Sequence, residues 1–119
     1  MNRTIQHEAL ALLQQSEQAQ PMLITDVGLT GLPEVVQRYL RYAGVVGEEP
    51  IRTVRLTQQG VMRQQPGKKW IPLVAEQYFT TKPPAFLWHC TMRPIPPVWI
   101  TATDQFFQGH GSMRIKLWS

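Results

Sequence analysis

The sequence holds one cysteine, Cys90. An intrachain disulfide is therefore excluded, and an oxidising compartment is not being exploited. No window approaches the roughly 20 apolar residues that a membrane-spanning helix needs. The first twenty residues carry Glu8, Glu17 and many glutamines. They lack the apolar run and small-residue cleavage site of a signal peptide, so the cytoplasm is the expected compartment. Neither a GxGxxG nor a GxxxxGKS/T phosphate loop is present, and no GxSxG elbow offers acyl chemistry. His7, His89 and His110 show no HxxxH spacing, no CxxC accompanies them, and no acidic cluster joins them. No metal site and no cofactor are expected.

Charge is sparse as well, at 17% of residues with a formal net of +4. The basic residues are scattered from Arg3 to Lys116 rather than gathered into a stripe. Nucleic acid is not an expected partner; a solvated, mildly basic surface is.

What is present fits one globular domain over residues 1–119. A chain of this size buries roughly 65% of its unfolded surface, enough for one core. Ten prolines and eight glycines fall mainly between β-like segments. Residues 3–19 read as a helix, with Ile5, Ala9, Leu12 and Leu13 at helical spacing and Pro21 as its stop. Residues 22–31 read as a connector. A second helix is expected over 32–43, with Pro33 in its first turn and Glu34 complementing the dipole. Val36, Leu40 and Ala43 form its apolar side, widened by Val35, Tyr39 and Tyr42, and Gly44 is the expected stop. That side is expected to pack on something.

From Ile51 the period changes to two. Strands are predicted over 51–63 (with a bend or bulge at Gly60), 70–79, 86–92, 98–107 and 112–118, the last following a turn at Gly109-His110-Gly111. Short connections imply antiparallel neighbours. The fold class is α+β: two N-terminal helices followed by a five-stranded antiparallel β-meander, either a curved sheet or a partial half-barrel. The second and third strands are apolar on both faces. Ile71, Leu73, Ala75 and Phe79 oppose Trp70, Val74 and Tyr78; Phe86, Trp88, Cys90 and Met92 oppose Leu87. A sheet with one wet face alternates cleanly, so both faces should be covered. Helices can cover one. The other needs a ligand, a partner subunit or more chain.

The run Leu32-Pro33-Glu34-x-Val36-x-Arg38-Tyr39-Leu40-Arg41-x-Ala43-Gly44 carries a family resemblance. It continues through Trp70-x-Pro72, Ala75-Glu76-Gln77-Tyr78-Phe79, Pro84-x-Phe86-x-Trp88, Asp104 and Gly109-x-Gly111-x-Met113. The sequence resembles the N-terminal half of an uncharacterised bacterial family, a domain of unknown function. The resemblance implies no catalytic role for any residue, and it implies a sheet that continues beyond Ser119. The residue pattern leaves a second reading open, in which 112–118 is an edge strand guarded by Arg114 and Lys116. A fold-level likeness to the half-barrels of periplasmic lipoprotein carriers suggests an acyl ligand.

Candidate residues follow from strand parity. His89 and Cys90 point to opposite faces and cannot pair as base and nucleophile; Cys90 is expected in the core. Glu76 and Asp104 are carboxylates inside strands, where charge is disfavoured. Each is either held by a salt bridge or backbone hydrogen bond, for example with Arg55 or Arg63, or placed at a sheet edge, or shifted in pKa at a site, where the two would form a general acid/base pair. The aromatics Trp70, Tyr78, Phe86, Trp88, Trp99 and Phe106 are either core or the lining of an apolar concavity. The expected function is a non-enzymatic module that binds an apolar or amphiphilic, lipid-like ligand on a concave sheet face. Trp70, Glu76, Tyr78, Trp88, Trp99 and Asp104 are its candidate ligand-binding residues. The alternatives are part of an enzyme of unknown reaction, and an oligomeric element that meets a second copy through its open face.

Overall fold

The computed structural model describes residues 3–16 and 22–119. It is α+β: helix α1 (Arg3–Gln14), a 3-10 turn at Val27–Leu29, helix α2 (Glu34–Tyr42), and strands β1 (Thr53–Met62), β2 (Ile71–Thr81), β3 (Pro84–Ile95), β4 (Val98–Phe107) and β5 (His110–Trp118). The strands lie in chain order, each antiparallel to the next, in an open sheet with β1 and β5 as edges. Two-residue connections fix the order from β2 to β5, and residues 63–70 join β1 to β2. Lys82-Pro83 and Pro96-Pro97, each a cis peptide, join β2 to β3 and β3 to β4. Gln108 (φ 51) and Gly109 (φ 79) join β4 to β5. Two successive positive φ values make the type I′ turn, whose twist matches that of paired strands.

Several expected boundaries move. The last turn sits at Gln108–Gly109, so His110 and Gly111 already belong to β5. Gly60 makes no bulge; it pairs in register with Leu73. The irregularity falls instead between Met92 and Ile95, where Pro94 has no N–H for the ladder. Helix α1 ends at Gln14, and Ser16 N–H donates back to the Leu13 carbonyl. The remaining expected helical residues, 17–19, and the Pro21 stop lie outside the described residues.

The chain forms two compact units, one of residues 1–17 with 52–119, the other of 18–51. In the second, Ile24 exchanges backbone bonds with Glu48 and Gly47, at 2.9 and 2.8 Å. Arg41 Nε meets Asp26 Oδ1 at 2.9 Å. Pro33 stands one position before α2, and Gly44 ends it at φ 77. The apolar stripe of α2 is as the spacing predicts, but none of its residues is buried.

In the first unit, α1 lies against β2 and β3. Ile5, Ala9 and Leu12 pack onto Tyr78, Ala85 and Leu87, with Leu13 and Phe107 beside them. Arg114 Nη2 donates to Glu8 Oε2 at 2.6 Å, tying β5 to the helix. Directly paired residues share a face, so the register divides the sheet. The helix-bearing face carries Arg55, Glu76, Tyr78, His89, Thr103 and Arg114 among others. The opposite face carries Leu73, Trp88, Cys90, Met92, Ile100 and Ile115. On this second face a small cluster of Ala75, Cys90 and Ala102 is buried beneath Leu73, Trp88 and Met92. Phe86 and Phe106 stack beside them, 6.3 Å between ring centroids. Helix α1 lies on the other face. The expected two-sided apolar character is real, and the helix answers only half of it.

Candidate functional site

The polar residues of the helix-bearing face collect at one end of α1. The row Glu76–His89–Thr103–Arg114 runs across β2 to β5, and next to it runs Val74–Thr91–Thr101–Lys116. Beyond these, Trp99 and Trp118 are directly paired. Threonine and tryptophan are strand formers, so the rows cost the sheet nothing while filling one face with hydroxyls and rings. A hollow of about 350 Å³ opens here between Thr4 and Ile5 of α1, the two tryptophans and the threonine rows. Trp118 Nε1 donates to Thr101 Oγ1 at 3.1 Å, which fixes one wall. Arg114, held by Glu8, and Lys116 bring two cations to the lining. Lys116 has no ion-pair partner among the described residues.

A second hollow, of about 290 Å³, lies toward β1 and is lined by Thr57, Val74 and Glu76 among others. His89 and Thr91 line both hollows. His89 Nδ1 and Thr103 Oγ1 lie 2.9 Å apart. Burial holds the His89 pKa below its ordinary value; Glu76 and then Glu8 oppose the shift, and Arg114 adds to it. A histidine with a lowered folded pKa binds its proton more tightly in the unfolded chain. Its contribution to stability is whole above the unfolded value of 6.5 and is lost as pH falls toward the folded pKa. Urea midpoints should therefore decline from pH 7.5 to 5.5, and His89→Gln should flatten that decline. Parallel declines in both proteins would show that His89 is not its source.

The six residues singled out from the sequence fall in separate places. Glu76 and Trp99 border the two hollows. Tyr78 is buried beneath α1 and donates its hydroxyl to Glu76 Oε2 at 2.8 Å. Burial, helped by that carboxylate, raises the Tyr78 pKa. Trp70 precedes β2, half exposed, with the Arg63 guanidinium 4.6 Å from its ring centroid. Trp88 and Asp104 are paired neighbours on the other face, and Trp88 Nε1 donates to Gln58 Oε1 at 2.9 Å. Glu76 and Asp104 thus stand on opposite sides of the sheet and cannot share one proton-transfer step. Glu76 takes its expected partner, Arg55, at 3.5 Å. The row Glu76–His89–Thr103 resembles a nucleophile relay only in composition. Thr103 is buried, and the carboxylate is engaged by Tyr78 and Arg55.

Residues missed from the sequence are Thr91, Thr101, Thr103, Arg114, Lys116 and Trp118. The signal was available in part: threonine recurs at every second position through 101–103, and Arg114, Lys116 and Trp118 share parity. Their meeting depends on register, which the two-residue turns set.

Residues 30–119 match the model of a family described as a Family of unknown function (DUF6920). The chain belongs to that family. Neither the curated proteins nor the solved structures yield a match.

Proposed function

We propose that this member of the family is a non-catalytic binding module that takes a small amphiphilic anion into the hollow between α1 and the β4–β5 end of the sheet. One observation carries the reading. A hollow of about 350 Å³ has an aromatic wall of Trp99 and Trp118, a floor of threonine hydroxyls, and the cation Lys116 at its lining. Binding pockets fall roughly within 300–1,000 Å³ and join apolar walls to a few converging polar groups. The indoles offer apolar area. Lys116 and the hydroxyls suit a carboxylate or phosphate head. The arrangement lacks an open nucleophile, which favours binding over turnover.

Octanoate is a fitting probe, with octylamine and octanol as head-group controls. Tryptophan fluorescence should respond to octanoate, more weakly to octanol, and least to octylamine. Lys116→Ala should weaken octanoate binding about fivefold, as for a partly exposed ion pair. Trp118→Ala should weaken it roughly tenfold or more through lost ring contact. Equal affinity for the anion and the amine, or no effect of either substitution, would remove the proposed role of this hollow.

A further inference from the structure

The threonine-lined hollow has an apolar neighbour. A third hollow, also of about 350 Å³, opens at the β3–β4 turn between Arg93, Pro96, Pro97, Val98 and Trp99. Trp99 lines both, so the two spaces meet at one residue. Every residue lining either of them belongs to the compact unit of residues 1–17 and 52–119. Resting on the proposed binding of an anionic head beside Lys116, we infer that the ligand is a single-chain amphiphile of about twelve carbons, its chain passing over Trp99 into this apolar hollow.

The chemistry of the lining sets where the chain goes. Pro96 and Pro97 have no N–H, and Val98 adds only methyl groups. Arg93 is exposed and forms no ion pair among the described residues, and it can lay its apolar stem along the wall with its charge in water. A polar group entering there would exchange water for few partners, whereas methylenes gain by leaving water. The hollow toward β1 offers Thr57, Gln59 and Glu76 instead, a polar lining with a carboxylate that an anionic amphiphile avoids. Distance sets the chain length. Thr101, paired with Lys116, stands three residues from Val98 on β4, about 10 Å at the rise of a strand. C–C bonds of about 1.5 Å advance an extended chain by roughly 1.25 Å each, so about eight carbons cover that distance. Octanoate held at Lys116 therefore only reaches the apolar hollow, and about four further carbons lie within it.

Fluorescence titrations of the whole chain with octanoate and dodecanoate, each below its micelle concentration, test this. Dodecanoate should bind about 20-fold more tightly, roughly twofold for each added methylene in a half-open space. Val98→Asp puts a carboxylate in the third hollow and should remove most of that gain, with octanoate affinity held within about twofold. Arg93→Ala, at an exposed position, removes one wall and should cut the gain to about tenfold or less. The gain is a ratio within one protein, so a lost charge that weakens both acids alike drops out of it. Circular dichroism should show the sheet in both variants. Equal affinity for the two acids overturns the inference and leaves the anionic head at Lys116 standing. A full gain in every variant that folds does the same. Dodecanoate that binds Lys116→Ala as tightly as the unaltered protein removes the head-group reading, and the inference with it. So does failure of both acids to bind.

Discussion

Leu87→Ala is expected to lower the unfolding free energy by about 3 kcal/mol, within the range for emptying a buried leucine site. Leu87 and Leu12 are both fully inaccessible and belong to one cluster, where β3 meets α1 beside Tyr78 and Ala85. Removing the isobutyl group loses its transfer free energy and leaves a void under a helix of 12 residues. A helix that short is marginal alone and draws its stability from the face it covers. Two readouts should therefore move together: the urea midpoint, and the hydrogen-exchange protection of α1 amides. A melting temperature roughly 10 °C lower should accompany them. Leu10→Ala is the control. Leu10 is 53% exposed on the outer side of α1 and should change stability by no more than about 0.5 kcal/mol. A Leu87→Ala cost below about 1 kcal/mol would mean that α1 does not depend on this contact.

That cluster also shows how far the amino-acid pattern carries. Ile5, Ala9 and Leu12 announce a helix face, and strand parity sorts Tyr78 and Leu87 each within its own strand, while the register pairs them on one side of the sheet. The two cannot be matched by pattern alone, because a helix can lie on either apolar face of strands that are greasy on both. The choice is physical. The opposite face has Trp88 and Met92 closing over the small residues Ala75 and Ala102, while the face that α1 takes offers Ala85 as a shallow seat next to two large residues. The change of period at Ile51, with Gly and Pro between the runs, marks the strands even though the second and third are apolar on both faces. It could not give register. Thus Glu76, Tyr78 and Trp99 were grouped with Trp88 and Asp104, which project from the other side. Gly60 misled because a strand glycine suggests a bulge. At an edge strand, exposed and in step with Leu73, it needs none.

The two faces then divide the labour in chemical terms. One is polar, hydroxyl-rich and hollowed beside its helix; the other is broad, apolar and nearly uncharged. A hollow between aromatic rings suits a small ligand with a charged head. Lys116 and Ile115 are neighbours in sequence but lie on opposite sides of the sheet, so Lys116→Ala tests the hollow without touching the apolar face.

The thiol of Cys90 reports on the apolar face directly. Its reaction with a polar disulfide reagent is expected to be at least a hundredfold slower in the native protein than in the urea-unfolded chain, roughly, because only an open, ionised thiolate reacts. Both requirements fail here. Cys90 is fully inaccessible between its cross-strand neighbours Ala75 and Ala102. Burial pushes the thiol pKa up, against a backbone hydrogen bond from Ala102 that lowers it. The shield is the chain's own: with alanines on either flank, Trp88 and Met92 can close over the sulfur. Trp88→Ala should thus bring the native rate to within about tenfold of the unfolded one. An osmolyte that stabilises the fold should leave that rate unchanged, which separates local exposure from global unfolding. Ile115→Asp, on β5 and outside the group that covers the sulfur, should leave Cys90 protected. If Ile115→Asp frees the thiol and Trp88→Ala does not, Trp88 is not the shield.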